Sequence, residues 1–232
     1  MSRPEPATFA EVAATVVRLD QHRERTGRGL SLAEIDRAEL EAIRAKQAAN
    51  KHAAYARRRP SRYADASYST LHADQDPRGL VSNWWGRGPR TLVLAGPSRT
   101  GKTTAAYAIA NTVHADQRWV IAWTAADLSA ALKPDGEHGA YDHAVACDLL
   151  VIDDLGRERV TDWWLEQLQR VVDARCGNER RLVVTTNAAA DPGQAYEQLV
   201  ARYGDPLVER IIDDGGIVTL DAPIVRKVVT EW

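Results

Sequence analysis

The chain has 232 residues, of which 30 are Lys or Arg and 32 are Asp or Glu, so its formal net charge is only −2. This length accommodates one α/β core of about 140 residues and a small appendage. The two cysteines, Cys147 and Cys176, stand far apart and exclude a disulfide framework or a cysteine-ligated zinc site. No signal peptide and no apolar run of about eighteen residues are found, so we expect a cytoplasmic protein with no membrane span.

The near-neutral total conceals an uneven distribution of charge. Residues 1–63 carry 13 Lys and Arg against 8 Asp and Glu, whereas the remaining residues carry 17 against 24. We therefore expect the basic N-terminal part to be the one that contacts nucleic acid or an acidic protein surface.

Residues 1–60 are predicted to form helices that dock onto a partner. Two capping-box patterns, Thr8-x-x-Glu11 and Ser31-x-x-Glu34, each mark the start of a helix. From Leu32 to about Tyr55 the sequence is rich in Ala, Glu, Arg and Lys, which gives a high helix propensity and a thin apolar face. So little apolar surface favours docking on another protein, although a helical collar packed on the chain's own core is an equally good interpretation.

Residues 61–90 are predicted to be a basic and polar linker that leads into the core. Four arginines lie between residues 57 and 62. This cluster is interpreted either as a set of phosphate contacts or, more simply, as a solvated hinge. Trp84 and Trp85 have three possible roles: they stack on a base, cap the core, or cover the adenine end of a nucleotide pocket.

Residues 91–232 are predicted to be the core, which begins with a phosphate-binding loop. The apolar strand Thr91–Ala95 is followed by Gly-x-x-x-x-Gly-Lys-Thr and then by a helix, and this context distinguishes a functional loop from a chance glycine-rich one. The two glycines allow the backbone to wrap closely around a phosphate, and the helix N-terminus attracts the anion. The predicted nucleotide contacts here are Gly96, Pro97, Ser98, Arg99, Thr100, Gly101, Lys102, Thr103 and Thr104.

An apolar strand about fifty residues after the loop ends in two carboxylates, Asp153 and Asp154. This Walker B pattern predicts that Asp153 and the Thr103 hydroxyl hold Mg²⁺, and that Asp154 orients or deprotonates the attacking water. Lys102 is expected to place its positive charge at the β- and γ-phosphates. The alternative is a strand that ends in a solvated Asp-Asp turn, and the phosphate loop argues against it.

The other core segments alternate between strands and helices. Strands are predicted at 119–123 and 181–187, and helices begin near Ala125 and Thr161. This alternation predicts a parallel sheet with right-handed crossovers. Because ligands bind beyond the carboxyl ends of such strands, Asn187 is expected near the γ-phosphate, where its amide positions a water.

Together these motifs resemble the AAA+ ATPases of the DnaC/DnaI helicase-loader and IstB transposition-helper group. The resemblance covers about residues 60–230 and rests on both Walker motifs, on the Thr-Thr-Asn strand tip, and on the segments 123–128 and 203–212. It implies an α/β fold: a P-loop AAA+ parallel sheet flanked by helices, with a small N-terminal helical extension. Only residues 188–232 follow Asn187, so a full C-terminal lid is not expected.

The resemblance also implies roles for individual residues. Asn187 matches sensor 1, Arg210 matches the arginine finger that reaches a neighbouring subunit's ATP, and Arg226 matches the sensor 2 arginine near the nucleotide. The implied catalytic residues are therefore Asp154, Asn187 and Arg210. Two positions depart from the group: Pro206 replaces an arginine often seen in loaders, and Asp154 stands where many AAA+ proteins have Glu.

The cofactors implied are ATP and Mg²⁺, and the implied activity is slow ATP hydrolysis that assembly or DNA stimulates. The leading interpretation is a loader that grips a replicative hexameric helicase with its N-terminal helices and delivers it to single-stranded DNA. Such a loader self-associates and shares its ATP sites between subunits. The alternative is an IstB-like helper that assembles on duplex DNA and recruits a transposase. A small-molecule kinase is disfavoured by the Asp153-Asp154 pair and by the Arg210 pattern.

Overall fold

A computed structural model describes residues 32–213 and 215–221. The chain divides into two units, Met1–Asn50 and Lys51–Trp232, and each is considered by itself. The capping residues predicted at Thr8 and Ser31 and the predicted nucleotide contact Arg226 lie outside the described residues. In the part of the chain that is described, no helix is long and apolar enough to cross a membrane.

Helix α1, Leu32–Arg58, agrees with the helix predicted from the composition of this segment. Within the first unit it leaves Leu40 and Ile43 exposed, with 54% and 51% of their surface accessible. Its last two turns belong to the second unit. There Tyr55 is buried and donates its hydroxyl to Asn111 Oδ1 at 2.7 Å. The end of α1 is therefore part of the folded core unit.

Residues 61–90, predicted to be a linker, pack against the core as a series of 3-10 turns and one short helix, α2, Trp84–Arg87. Trp84 is buried and Trp85 is partly buried. The Arg181 guanidinium lies over both rings, 5.1 and 5.3 Å from their centres. Trp84 thus contributes to the hydrophobic core, which is one of the roles predicted for this pair.

Five parallel strands form one sheet in the order β2-β3-β4-β1-β5. The strands are β1 (Thr91–Ala95), β2 (Val120–Thr124), β3 (Leu149–Leu155), β4 (Arg181–Thr186) and β5 (Gly215–Thr219). The first four agree with the predicted strands to within a residue or two. The sequence did not predict β5, because it is short and begins with two glycines, which have low strand propensity. Since β4 lies between β1 and β3, its tip stands between the phosphate loop and the acidic pair.

Helices connect the strands and cover both faces of the sheet. They are α3 (Lys102–Ala115), α4 (Ala125–Ala131), α5 (Ala140–Ala146), α6 (Asp162–Gly177), α7 (Pro192–Tyr203) and α8 (Asp205–Ile212). Side-chain caps explain where several of them begin. Thr124 accepts the backbone N–H of Asp127 at the start of α4, and Thr161 accepts that of Trp164 at the start of α6.

The sheet separates two hydrophobic layers. Because side chains alternate along a strand, the neighbouring residues Leu92 and Val93 of β1 enter different layers. The layer around Leu92 contains the apolar face of α3, whereas the layer around Val93 contains α6 and α8. The predicted apolar stripe of α6 is buried there, and Trp163, which lies off that stripe, is partly buried against the same layer. The strands are therefore held rigidly, with their carboxyl ends at one edge.

Candidate nucleotide-binding site

Both glycines of the phosphate loop have a backbone conformation that side chains disfavour. Gly96 has a φ of +143° and Gly101 a φ of +91°. A Cβ at Gly96 would stand 2.0 Å from the Leu220 carbonyl oxygen, and a Cβ at Gly101 would stand 1.9 Å from Gln75 Nε2. Leu220 is itself fixed, because its N–H donates to the Ala95 carbonyl at 2.8 Å. At Gly96 the backbone conformation and the Leu220 backbone therefore both require glycine, whereas at Gly101 the requirement comes from the backbone conformation, because the Gln75 side chain can move.

Lys102 is the first residue of α3, and only 5% of its surface is exposed. Its ammonium donates to the carbonyl oxygens of Gly96 at 2.8 Å and Pro97 at 2.6 Å. Burial lowers the pKa of Lys102, while the nearby Asp154 and Asp153 oppose this shift. A buried cation whose close acceptors are neutral carbonyls is well placed to receive an anion, so this is the point at which the loop would bind phosphate.

Two hydroxyl groups hold Asp153 beside the loop. Thr103 Oγ1 donates to Asp153 Oδ1 at 2.9 Å, and Thr185 Oγ1 donates to the same oxygen at 2.6 Å. Asp153 is only 7% exposed. Burial raises the pKa of its carboxyl group, and the two hydrogen bonds counteract part of that rise. The structure thus brings together the two residues predicted to hold the metal.

Asp154 has a backbone conformation that is uncommon for a residue other than glycine. Its φ is +58°, and the pairing of β3 with β4 shifts register between Ile152 and Leu155. The Asp154 N–H donates to Thr185 Oγ1 at 2.9 Å, while its carboxylate is partly exposed and lies 3.4 Å from Arg157 Nη1. Backbone outliers of this kind concentrate at functional sites. Here the backbone is fixed and the carboxylate remains accessible.

Asn187 follows the last residue of β4 and is exposed. It lines a cavity of about 140 Å³, together with Arg157, Gln198 and Arg202. The position of β4 between β1 and β3 places Asn187 at the sheet edge that also carries the phosphate loop and the acidic pair.

Glu158 fixes the loop that follows β3. It is 6% exposed, and its carboxylate accepts the Gly156 N–H at 2.9 Å and the Tyr203 hydroxyl at 2.6 Å. The Trp164 indole N–H donates to the same group at 3.3 Å. Burial and the Glu158 carboxylate raise the pKa of Tyr203, so its phenol remains a donor. The conformation of the residues after the acidic pair is therefore tied to α6 and α7.

Arg210 lies on α8, and its side chain is half exposed. Its Nε donates to Asp173 Oδ1 at 3.0 Å, and its Nη1 lies 4.0 Å from Asp213 Oδ2. Among the described residues these are its ion pairs, so the structure does not bring Arg210 to the phosphate loop of its own chain. This arrangement is compatible with two roles. Arg210 either forms an ordinary surface ion pair, or it leaves Asp173 to contact the nucleotide of a neighbouring subunit.

The oxygen donors at the end of the loop suit Mg²⁺. Mg²⁺ prefers hard oxygen ligands and is usually held by one or two carboxylates together with substrate phosphates and water. The Thr103 hydroxyl and the Asp153 carboxylate, 2.9 Å apart, provide such oxygens. These two residues therefore fit the metal that the motifs imply.

Three residues that shape the site were not predicted from the sequence. Thr185 is a fully buried hydroxyl residue in an apolar strand, and its position near the carboxyl end of β4 was an available signal. Glu158 and Gln75 gave no signal, because their contacts with Tyr203 and the phosphate loop depend on segments that are distant in sequence.

A five-stranded parallel sheet in this order, with a phosphate loop after β1 and an acidic pair at the end of β3, is the P-loop NTPase fold in its AAA+ form. The chain belongs to the family of IstB-like ATP-binding proteins, whose sequence profile matches residues 34–228. Both the predicted fold and the predicted family resemblance are thereby confirmed.

One individual protein is similar to this chain in sequence. The uncharacterized protein YdaV of Escherichia coli strain K12 is 31% identical over 134 residues, which are 56% of this chain and 52% of that protein. The chain thus spans about half the length of this curated relative.

Among solved structures, the DnaC helicase loader aligns with a TM-score of 0.63 and 22% identity over 70% of this chain and 100% of that chain. DnaI aligns with a TM-score of 0.59 and 21% identity over 73% of this chain and 95% of that chain. AMPPCP-bound DnaA from Aquifex aeolicus aligns with a TM-score of 0.55 and 18% identity over 68% of this chain and 50% of that chain. At these identities the likeness establishes the fold.

Proposed function

We propose that this protein is an ATPase that acts as a DnaC-like loader, binding a replicative helicase and delivering it to single-stranded DNA. The observation that carries the ATPase part is the hydrogen-bond network of Thr103, Asp153 and Thr185 beside Lys102. The loader part is supported by the alignment over the whole length of the DnaC structure. Residues 1–60 are the proposed helicase-docking region, and residues 91–232 the proposed ATPase domain.

Each residue of the site has a proposed role in hydrolysis. Lys102 would bind phosphate oxygens, and Thr103 and Asp153 would hold Mg²⁺, which would supply positive charge against the phosphates. Asp154 orients the attacking water and accepts its proton, while Asn187 positions that water. The water oxygen then bonds to the γ-phosphorus as the bond to the ADP oxygen breaks.

Arg210 is proposed to act in trans. An arginine finger supplies about 10³–10⁵ in rate. Because Arg210 is paired with Asp173 on the surface of its own chain, hydrolysis by a single subunit would lack this contribution. We therefore propose that two subunits share each ATP site, and that the isolated chain hydrolyses ATP slowly.

The experiment that tests the loader proposal is capture of the host's replicative helicase with the full-length protein, with and without ATP. One variant combines Leu40→Asp with Ile43→Asp, because these are exposed apolar side chains on α1. The matched control combines Ala45→Asp with Ala49→Asp, which adds the same charge at exposed positions of the same helix. We expect the first variant to lose helicase binding and the control to retain it. Absence of binding by the unaltered protein would overturn the loader proposal.

The second candidate function is an IstB-like transposition helper, and the family match to IstB-like ATP-binding proteins favours it. The two functions differ in their nucleic acid. A helper should form ATP-dependent assemblies on duplex DNA and show no helicase binding, whereas a loader should bind the helicase and single-stranded DNA. Measuring the affinities for duplex and for single-stranded DNA with ATP present separates the two functions. Both are measured in the same buffer, because contacts to the DNA backbone depend strongly on salt concentration.

A further inference from the structure

The side chain of Gln75 lies against the phosphate loop. A Cβ at Gly101 would stand 1.9 Å from Gln75 Nε2 and 2.5 Å from Gln75 Cδ, so the amide end of this side chain touches the Gly101 backbone. Gly101 is the residue immediately before α3, which begins at Lys102. The segment 61–90, which was predicted to be a linker, therefore places a polar side chain at the proposed nucleotide site.

The backbone on both sides of Gln75 is anchored to the core. On one side, Asp76 Oδ1 accepts the N–H of Val81 at 2.7 Å and that of Ser82 at 3.2 Å. Val81 is fully buried in the hydrophobic layer that contains the apolar face of α3. On the other side, Leu71 is partly buried against the same layer. Gln75 is therefore presented to the loop by a turn whose two ends are fixed.

One hydrogen bond determines which end of the Gln75 amide faces the loop. Its Oε1 accepts the His72 N–H at 3.1 Å, and only the oxygen of an amide group can accept. The NH₂ group is therefore the part that lies against Gly101. Among the described residues, no group accepts a hydrogen bond from this NH₂. Its two donors thus remain available at the edge of the loop.

The start of α3 offers further donors at the same place. The first N–H groups of a helix have no acceptor within the helix, and no described side chain caps α3 at Gly101. The N-terminus of a helix also carries a partial positive charge, and the Lys102 ammonium is buried in the same loop. A further donor beside these groups is favourable only when an anion lies between them. The arrangement therefore suits a ligand with several acceptor oxygens, such as the phosphate chain of a nucleotide.

We propose that Gln75 is a nucleotide-binding residue outside the two Walker motifs, and that its NH₂ group donates to the phosphate chain of ATP. This inference rests on the proposed ATPase site and adds to it a contact from the segment that precedes β1. Neither the family match nor the sequence motifs assign this residue a role.

Two substitutions at Gln75 distinguish this contact from a role in shaping the turn. Gln75→Ala removes both the donor and the acceptor of the His72 N–H. Gln75→Glu keeps the length of the side chain and that acceptor, but it replaces the donor with a negative charge. A residue that only shapes the turn tolerates Glu, whereas a residue that donates to phosphate does not, because the two anions repel each other. Ala73→Glu is the matched control, since it adds the same charge at an exposed position of the same turn.

The measurement is a titration of the full-length protein with a fluorescent ATP analogue in the presence of Mg²⁺. Loss of a hydrogen bond to a charged group predicts a Kd about tenfold higher for Gln75→Ala. Gln75→Glu should bind the analogue more weakly still, although its Tm without nucleotide should be no lower than that of the unaltered protein. Ala73→Glu should stay within about twofold of the unaltered protein, because salt screens an exposed charge.

Competition by inorganic tripolyphosphate identifies the part of the nucleotide that Gln75 contacts. The inhibition constant of tripolyphosphate should rise in Gln75→Glu by about the same factor as the Kd of the analogue. An unchanged inhibition constant would overturn the contact with phosphate. Equal affinity of Gln75→Glu and the unaltered protein for the analogue, or an equal loss in Ala73→Glu, would also overturn the proposal. If the unaltered protein binds no more ATP than Lys102→Ala, the proposed ATPase site itself has failed.

Discussion

Replacing Thr185 by Val tests whether one buried hydroxyl organises the acidic end of β3. The substitution keeps the size and β-branched shape of a side chain that is fully buried. It removes the donor that reaches Asp153 at 2.6 Å and the acceptor that receives the Asp154 N–H at 2.9 Å. The carboxylate then lacks one of its two hydroxyl partners, and the backbone of Asp154 loses the contact that holds its left-handed conformation.

The expected loss of stability follows from these two contacts. A hydrogen bond to a charged group contributes about 1.5–3 kcal/mol, and a buried N–H left without a partner costs about 1–3 kcal/mol. Because both effects share one hydroxyl and the site relaxes in part, we expect a total of about 3 kcal/mol. For a folded unit of 150–250 residues this corresponds to a Tm lower by about 6–12 °C.

The assay is thermal unfolding without nucleotide at pH 7, followed by circular dichroism, together with steady-state ATP hydrolysis. Thr185→Ser is the control, because it retains the hydroxyl and loses only a methyl group. The Val variant should show the lower Tm and the lower hydrolysis rate, with the Ser variant close to the unaltered protein. A Val variant as stable as the unaltered protein, or a Ser variant that loses as much, would refute the role assigned to the hydroxyl.

Three further predictions concern the charged residues of the site. Burial raises the pKa of Asp153, so this carboxyl group stabilises the folded state below the ordinary Asp pKa and loses that contribution as pH rises through its raised pKa. Without nucleotide, Asp153→Asn should therefore have a higher Tm than the unaltered protein at pH 7, and the difference in Tm should become smaller in acid. An equal or lower Tm of the variant at pH 7 contradicts this. In a nucleotide-binding assay, Lys102→Ala should lose tight ATP binding, whereas Asp154→Asn should still bind ATP. In a phosphate-release assay, Asp154→Asn should hydrolyse ATP about 10²–10⁴-fold more slowly than the unaltered protein. Normal hydrolysis by this variant would remove Asp154 from catalysis. Arg210→Ala should leave ATP binding intact and lower hydrolysis about 10³-fold in assemblies, and mixing it with Lys102→Ala should restore part of the rate; no recovery on mixing argues against a shared site.

Much of the core could be predicted because its strands are buried on both faces. Such strands appear in the sequence as continuous apolar runs, and β1 and β3 are of this kind. Each is followed by a motif whose chemistry requires a fixed spacing, so the sequence places Lys102 and Asp153 at the same sheet edge. The pairing of Thr103 with Asp153 agrees with that expectation.

What escaped prediction depends on contacts between distant segments. The turn that contains Tyr63 has a polar sequence typical of a linker, yet Asn111 binds it through two backbone carbonyls. Similarly, β5 begins with two glycines and forms a strand only because β1 offers it an open edge. Local propensity carries no information about such partners, since they lie tens of residues away along the chain.

The order of the strands also determines when the phosphate loop can take its final shape during synthesis. Thr91 of β1 pairs with Leu182 on one side and with Gly215 on the other, so both neighbours of this interior strand are made much later than the strand itself. Pairings between residues so distant in sequence form slowly and late. When the glycine-rich loop of a growing chain has already left the ribosome, the chain is therefore expected to remain unable to bind ATP until β5 has also emerged. Until then its exposed apolar strands can be bound by chaperones.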